Sequence, residues 1–143
     1  MNVETILRHK GKRVATIRRD APLPEAIERL RRYGIGALVV SDDGESVDGL
    51  VSERDIVVAL DRYGAGLLHL AVTDVMTAPV TTCQPSDTVA ELMAEMTNRR
   101  IRHFPVVAGG RLCGIVSIGD LVKSRLDEVE YEAHSLRSFI AGG

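Results

Sequence analysis

No surplus of either charge marks this chain. Its 18 lysines and arginines face 20 aspartates and glutamates, a formal net charge of -2, so nothing in the balance points to DNA or to an anionic membrane as a partner. Long apolar runs are missing as well. Nowhere does the chain approach the roughly 20 apolar residues that a membrane-spanning helix needs, and its first ten residues, MNVETILRHK, lack the uninterrupted apolar stretch of a secretory signal. A cytoplasmic location is therefore expected. Cysteine is scarce: Cys83 and Cys113 form no Cys-x-x-Cys motif and sit in apolar stretches that read as strands, as free buried thiols in a reducing compartment would.

Signatures of catalysis are missing too. The four histidines, His9, His69, His103 and His134, are scattered, and none has the i, i+4 spacing with a nearby acid that a helical zinc site uses. Gly34-x-Gly36 and Gly64-x-Gly66 lack the third glycine of a dinucleotide loop and do not lie between a parallel strand and its crossover helix. There is no Gly-x-Ser-x-Gly elbow, P-loop or cysteine-histidine signature. An enzyme, a bound metal and a required cofactor are all unexpected.

What the chain does contain is a repeat. VSERDIV (Val51 to Val57) and VSIGDLV (Val116 to Val122) follow Gly49-Leu50 and Gly114-Ile115, giving Gly-apolar-Val-Ser-x-x-Asp twice, 65 residues apart. Upstream, Leu23, Ile27, Leu30 and Ile35 match Val89, Met93, Met96 and Ile101 at an offset of 66. The one-residue change falls in a hairpin loop, where insertions are tolerated. Each half reads β-α-β-β-α. A helix around Ala26 to Tyr33 has Pro24 in its first turn and Gly34 at its end. Strands ALVVS and SVDGLVS flank a DDG turn, and a helix starts at Ser52. The second half has strand VTTC, helix Asp87 to Asn98, strands HFPVV and RLCGIVS around Gly109-Gly110, and a helix from Ser117.

The expected divisions are residues 1–63 for repeat 1 with an N-terminal helical segment, 64–78 for a packed linker, 79–126 for repeat 2 and 127–143 for a C-terminal helical extension. From Val122 the apolar residues Leu126, Val129, Ala133, Leu136 and Ile140 recur at alternating spacings of four and three, a heptad-like seam. Such a helix either lies on its own domain or packs on a second copy of the chain.

Ser52 and Ser117 would stand at helix N-termini, with Asp55 and Asp120 one turn on. Two readings are open. The serine and acid can cap the helix, or the serine can present its hydroxyl and nearby N–H groups to an anion while the aspartate accepts hydrogen bonds from a vicinal diol such as ribose. In NRRIRHFPVV, Arg99 and Arg100 read as a solvated helix end. Arg102 and His103, at the mouth of a strand, read as phosphate-holding.

Taken in order, GLVSERDIV, DVMTAPV, RIRHFPVV and GIVSIGDLV resemble a pair of CBS domains, the tandem known as a Bateman module, over about Val14 to Leu126. The resemblance implies a mixed α/β (α+β) fold with two β-α-β-β-α repeats packed sheet to sheet about a pseudo-twofold axis, with two clefts between them. It implies a regulatory module, not an enzyme, that senses AMP or a related adenosine compound (ADP, ATP, NAD(H) or S-adenosylmethionine), and association as a homodimer. The alternative is a structural module with non-functional clefts.

Carried onto this chain, the resemblance makes Asp55 and Asp120 ribose-binding and Ser52 and Ser117 ribose- or phosphate-contacting. Arg102 and His103 would touch phosphate, Phe104 and Pro105 would flank adenine, and Arg54 would add charge. Thr16, Thr82, Gly36 and Ala37 complete the expected set. Gly36 and Ala37 stand in repeat 1 where repeat 2 has Arg102 and His103. Pairing Asp55 with Arg102 and His103 in one cleft, and Asp120 with Gly36 and Ala37 in the other, predicts two unequal sites, the first preferring a phosphorylated ligand.

Overall fold

The computed structural model describes residues 1–142. Helix α1 (Val3–Lys10) opens the chain, capped by Asn2, whose side chain accepts from the Thr5 N–H at 3.1 Å. Repeat 1 follows as β1 (Thr16–Ile17), α2 (Leu23–Tyr33), β2 (Ala37–Val40), β3 (Gly49–Ser52) and α3 (Glu53–Tyr63). β1 pairs parallel to β2, and β2 antiparallel to β3. Gly34 stops α2 by adopting a left-handed φ of 63°, a conformation that costs glycine nothing. Two 3₁₀ turns, Gly64–His69 and Val72–Asp74, lead to repeat 2: α4 (Val89–Arg99), β4 (His103–Ala108), β5 (Arg111–Ser117) and α5 (Ile118–Gly142).

The expected strand VTTC shrinks to a single bridge between Cys83 and Val106. Its two ladder bonds run from Cys83 N–H to Pro105 O (3.0 Å) and from Val107 N–H to Cys83 O (2.8 Å). In repeat 1 the ladder gains one more bond, Val39 N–H to Ala15 O at 3.2 Å. Its counterpart would need an N–H on Pro105, which proline does not have. Both cysteines are free; Cys83 is buried, which pushes its thiol up to about 12, and Cys113 is half-buried.

All four residues of β2 are buried, so the sheet is covered on both faces. Leu38 and Val40 pack with α2 residues Leu23, Ala26 and Leu30. Ala37 and Val39 point the other way, as strand alternation requires, and are buried too, with Ala37 sharing a cleft with His103, Ile115 and Ser117 of the second repeat. The two sheets thus pack face to face. A hydrogen bond from Leu112 N–H to Glu45 O (2.7 Å) ties their hairpins together.

Each repeat's core is closed by the segment that precedes the other repeat. Val3, Ile6 and Leu7 of α1 are buried with Val89, Leu92, Met96, Phe104 and Leu121 of repeat 2. Val72, Val75 and Met76 pack into the core of repeat 1. The backbone bonds match pair by pair. Val3 N–H reaches Asp87 O as Val72 N–H reaches Ala21 O, at 3.0 and 2.9 Å, and Glu4 N–H reaches Pro85 O as Thr73 N–H reaches Arg19 O, at 3.0 Å in both. The repeated glycines belong to this exchange. A Cβ on Gly114 would lie 2.7 Å from Leu7 Cδ2, and one on Gly49 would lie 2.6 Å from Met76 Sδ.

Only the first turns of α5 are packed, with Leu121 and Ser124 buried. Leu126, Val129, Leu136 and Ile140, on the heptad-like seam, are 46 to 69% exposed. Within one chain the seam therefore does not lie on its own domain.

Gly114→Ala is expected to cost about 1–3 kcal/mol by overpacking against Leu7. Because the clash is with that one side chain, the double variant with Leu7→Ala should lose less than the sum of the two single losses, measured by urea unfolding.

Candidate functional site

Both Ser-x-x-Asp motifs are capping boxes. Asp55 N–H donates to Ser52 Oγ at 3.3 Å, and Asp55 Oδ2 accepts from the Ser52 N–H at 2.9 Å. In repeat 2 the corresponding distances are 3.2 and 2.9 Å for Ser117 and Asp120. These bonds satisfy N–H groups that the first turn of a helix leaves unpaired. They do not exhaust the carboxylates.

The exchanged segments supply each aspartate with one more partner, and the two partners differ. Thr77 Oγ1 donates to Asp55 Oδ1 at 3.0 Å, so both oxygens of Asp55 are engaged. Lys10 Nζ reaches Asp120 Oδ2 at 2.6 Å and the Ile115 carbonyl at 2.9 Å. Among the described residues, Asp120 Oδ1 accepts no hydrogen bond.

Lys10 projects into a cleft of about 680 Å³ between the repeats. Val14, Ala15 and Thr16 line one side, Tyr33 to Ala37 another, and His103, Ile115 and Ser117 the floor beside Lys10, with Arg13 also on the wall. The chain enters this wall through Gly11, whose φ of 96° turns it out of α1 and back toward β1. His103 sits opposite Ser117 in the β4–β5 register. Its ring closes on Gly36: a Cβ there would meet His103 Nε2 and Glu53 Oε1, each at 3.2 Å. A side chain at position 36 would narrow the cleft.

Burial holds His103 below the usual imidazole value, aided by Lys10 and opposed by Asp120 and Glu53. It is therefore neutral at physiological pH. Burial also pushes Asp120 upward, but its hydrogen bonds from Lys10 and Ser117 outweigh this, and the carboxyl lies below its usual value. The cleft thus presents an ammonium, a guanidinium and a neutral imidazole, with the Asp120 carboxylate held behind them on Lys10 and Ser117.

Of the expected residues, Thr16, Gly36, Ala37, His103 and Ser117 come together here, with Asp120 joined to them through Lys10. Ser52, Arg54, Asp55, Thr82 and Arg102 do not line this cleft, and Arg54, Thr82 and Arg102 are exposed. Phe104 is wholly buried in the core of repeat 2, leaving no ring surface for a ligand, and Pro105 is buried opposite Ile115.

The pairing of residues into clefts differs from the expectation. His103 joins Gly36, Ala37 and Ser117, and Lys10 and Arg13 add two cations to the cleft expected to set Asp120 against the uncharged Gly36 and Ala37. Both were missed because they lie ahead of the repeated elements in sequence, while Lys10 folds against Ile115 and Asp120 of repeat 2 and Arg13 follows it onto the cleft wall. A signal was present: Val3, Ile6 and Leu7 align with Val72, Val75 and Met76 at an offset of 69.

Because the folded-state value of His103 is lowered, the unfolded chain binds the extra proton first as pH falls. Stability should hold above about 6.5 and decline below it until the folded imidazole also protonates. His103→Gln should flatten that part of the melting temperature profile between pH 7 and pH 5.

Among the described residues no cluster of His, Cys, Asp and Glu could hold a metal ion, and no helix is long and apolar enough to cross a membrane. The fold matches a crystal structure of the CBS-domain containing protein ATU1752 from Agrobacterium tumefaciens, with a TM-score of 0.84 and 44% identity over 87% of this chain and 99% of that one. It also matches the CBS domain pair of protein MJ0100, solved with 5′-methylthioadenosine and S-adenosyl-L-methionine, with a TM-score of 0.76 and 26% identity over 91% and 98% of the two chains. The mitochondrial CBS domain-containing protein CBSX3 of Arabidopsis thaliana is 34% identical over 128 residues, 87% of this chain and 62% of that protein. The chain thus spans less than two thirds of this curated relative. The CBS domain model matches twice, at residues 4–62 and 72–127, and both spans open within the segments that cross to the other repeat. With the exchange built into the matched unit itself, the chain belongs to the CBS domain family as a tandem pair, and CBS pairs are in general regulatory modules.

Proposed function

We propose that this protein senses an adenosine-containing ligand, AMP or a related nucleotide, in the cleft between its repeats. The observation that carries this reading is Asp120, an ionised carboxylate fixed by a capping box with Oδ1 open beside a 680 Å³ cleft. A carboxylate so held is an acceptor for the two hydroxyls of a ribose. Ser117 stands beside it, and Gly36 keeps room for a flat base against Ile35 and Ala37. The adenosine compounds held by the CBS pair of MJ0100 are of this class. ATP, NAD(H) and S-adenosylmethionine carry the same ribose. Asp55, saturated by Ser52 and Thr77, is the proposed anchor of the weaker of two unequal sites, to which Ser52, Arg54, Thr82 and Arg102 are assigned by the family resemblance alone.

Regulation follows when a ligand binds two conformations of a module unequally. A second copy of the chain is the partner proposed for transmitting it. α3 exposes Val57, Leu60 and Tyr63, and α5 exposes Val122, Leu126, Val129, Leu136 and Ile140, rows of apolar side chains that a partner helix would cover.

Asp120→Asn keeps a capping side chain but removes the charge, and should weaken AMP roughly ten-fold or more in calorimetric titration, with a smaller loss for Asp55→Asn. Absence of any adenosine compound from the titration isotherms and from thermal shifts of the unaltered protein would count against the reading. For self-association, replacing Leu136 and Ile140 together by glutamate should lower the mass measured by light scattering from dimer toward monomer.

A further inference from the structure

Lys10 stands where a bound ribose would need Asp120. A vicinal diol engages both oxygens of a carboxylate, but Oδ2 already accepts from the Ser117 N–H at 2.9 Å and from Lys10 Nζ at 2.6 Å. The lysine and aspartate side chains are 34 and 24% exposed, so water partly screens the pair, and separating it still gives up a charge-assisted hydrogen bond of 2.6 Å. A nucleoside that takes Asp120 leaves the ammonium with the Ile115 carbonyl alone. Nothing else in the cleft lining compensates it: Arg13 is a second cation and His103 is uncharged. The nearby carboxylate of Glu53 is exposed, where its charge is screened.

We propose that Lys10 selects phosphorylated nucleosides over neutral ones by exchanging its ion-pair partner, giving up Asp120 to the ribose and taking a phosphate in return. This rests on the nucleoside reading given above. A neutral nucleoside breaks the Lys10–Asp120 pair without replacing it, whereas a nucleoside phosphate supplies the new anion along with the diol. No proton or covalent bond changes hands. Arg13, exposed on the same wall, adds attraction for the same anion. The phosphate preference thus belongs to the cleft that Lys10 lines beside Asp120, and the residue that provides it comes from α1, outside both Ser-x-x-Asp motifs.

The test is calorimetric titration of AMP and of adenosine into the unaltered protein and into Lys10→Met, Lys10→Gln and Lys10→Arg. The unaltered protein should bind AMP more tightly than adenosine. Lys10→Met and Lys10→Gln should lose roughly ten-fold in AMP affinity, the worth of one charge-assisted hydrogen bond, while adenosine binds as well or better because no ion pair has to break. Lys10→Arg should keep the preference. Each ratio is read within one variant, so a shared loss of stability cancels. Equal weakening of both ligands in the uncharged variants, or AMP binding left intact in them, overturns the selection. Equal binding of AMP and adenosine by the unaltered protein overturns it too and leaves the nucleoside reading standing, whereas binding of neither overturns both.

Discussion

Every part of this molecule depends on one exchange: each half-core is closed by the stretch of chain that leads into the other half. Val3, Ile6 and Leu7 fill repeat 2, and Val72, Val75 and Met76 fill repeat 1. Burying side chains of this kind is worth about 1.5–3 kcal/mol each, against a net stability of roughly 5–15 kcal/mol for a whole domain. A half of about 60 residues without its visitor would lose much of that margin. Gly49 and Gly114 leave the space the visitors enter, and both open the repeated motif.

The same exchange differentiates the two sites. The visiting segments pass the N-termini of α3 and α5, so each reaches the aspartate of the repeat it completes. One delivers a threonine hydroxyl to Asp55 and the other an ammonium to Asp120. Two carboxylates held by nearly identical capping boxes therefore meet different chemistry. One is saturated by neutral donors, while the other is held by a cation that lines the cleft and keeps one oxygen without a partner. Helix capping and ligand recognition thus use the same groups, and the segment docked beside each box sets what it can do next.

Much of the fold was legible. The offsets of 66 and 65 follow the ladders closely: Glu53 N–H bonds Gly36 O as Ile118 N–H bonds Arg102 O, at 3.0 and 2.8 Å. Gly34 was readable as a helix stop, although Arg100, its counterpart, adopts the same left-handed turn with φ 54°. The bridge at Cys83 was overestimated as a strand because strand propensity reports the apolar residues and not the missing N–H of Pro105 across the sheet. Ser117, Gly36, Ala37, His103 and Thr16 were placed at the cleft by resemblance, yet which of them share one cleft was not readable. Cleft membership depends on how two sheets pack, which no local pattern encodes.

By itself the sequence determined the duplication, the elements of each half, the two capping boxes and the family, because these rest on local spacing, turn chemistry and side-chain type. Tertiary structure alone decided that α1 belongs to the second core, that His103 closes on Gly36 and that Lys10 pairs with Asp120 across 110 residues of chain. The physical reason is that contacts between distant segments are fixed by which buried surfaces complete one another. That complementarity becomes specific only once both surfaces exist.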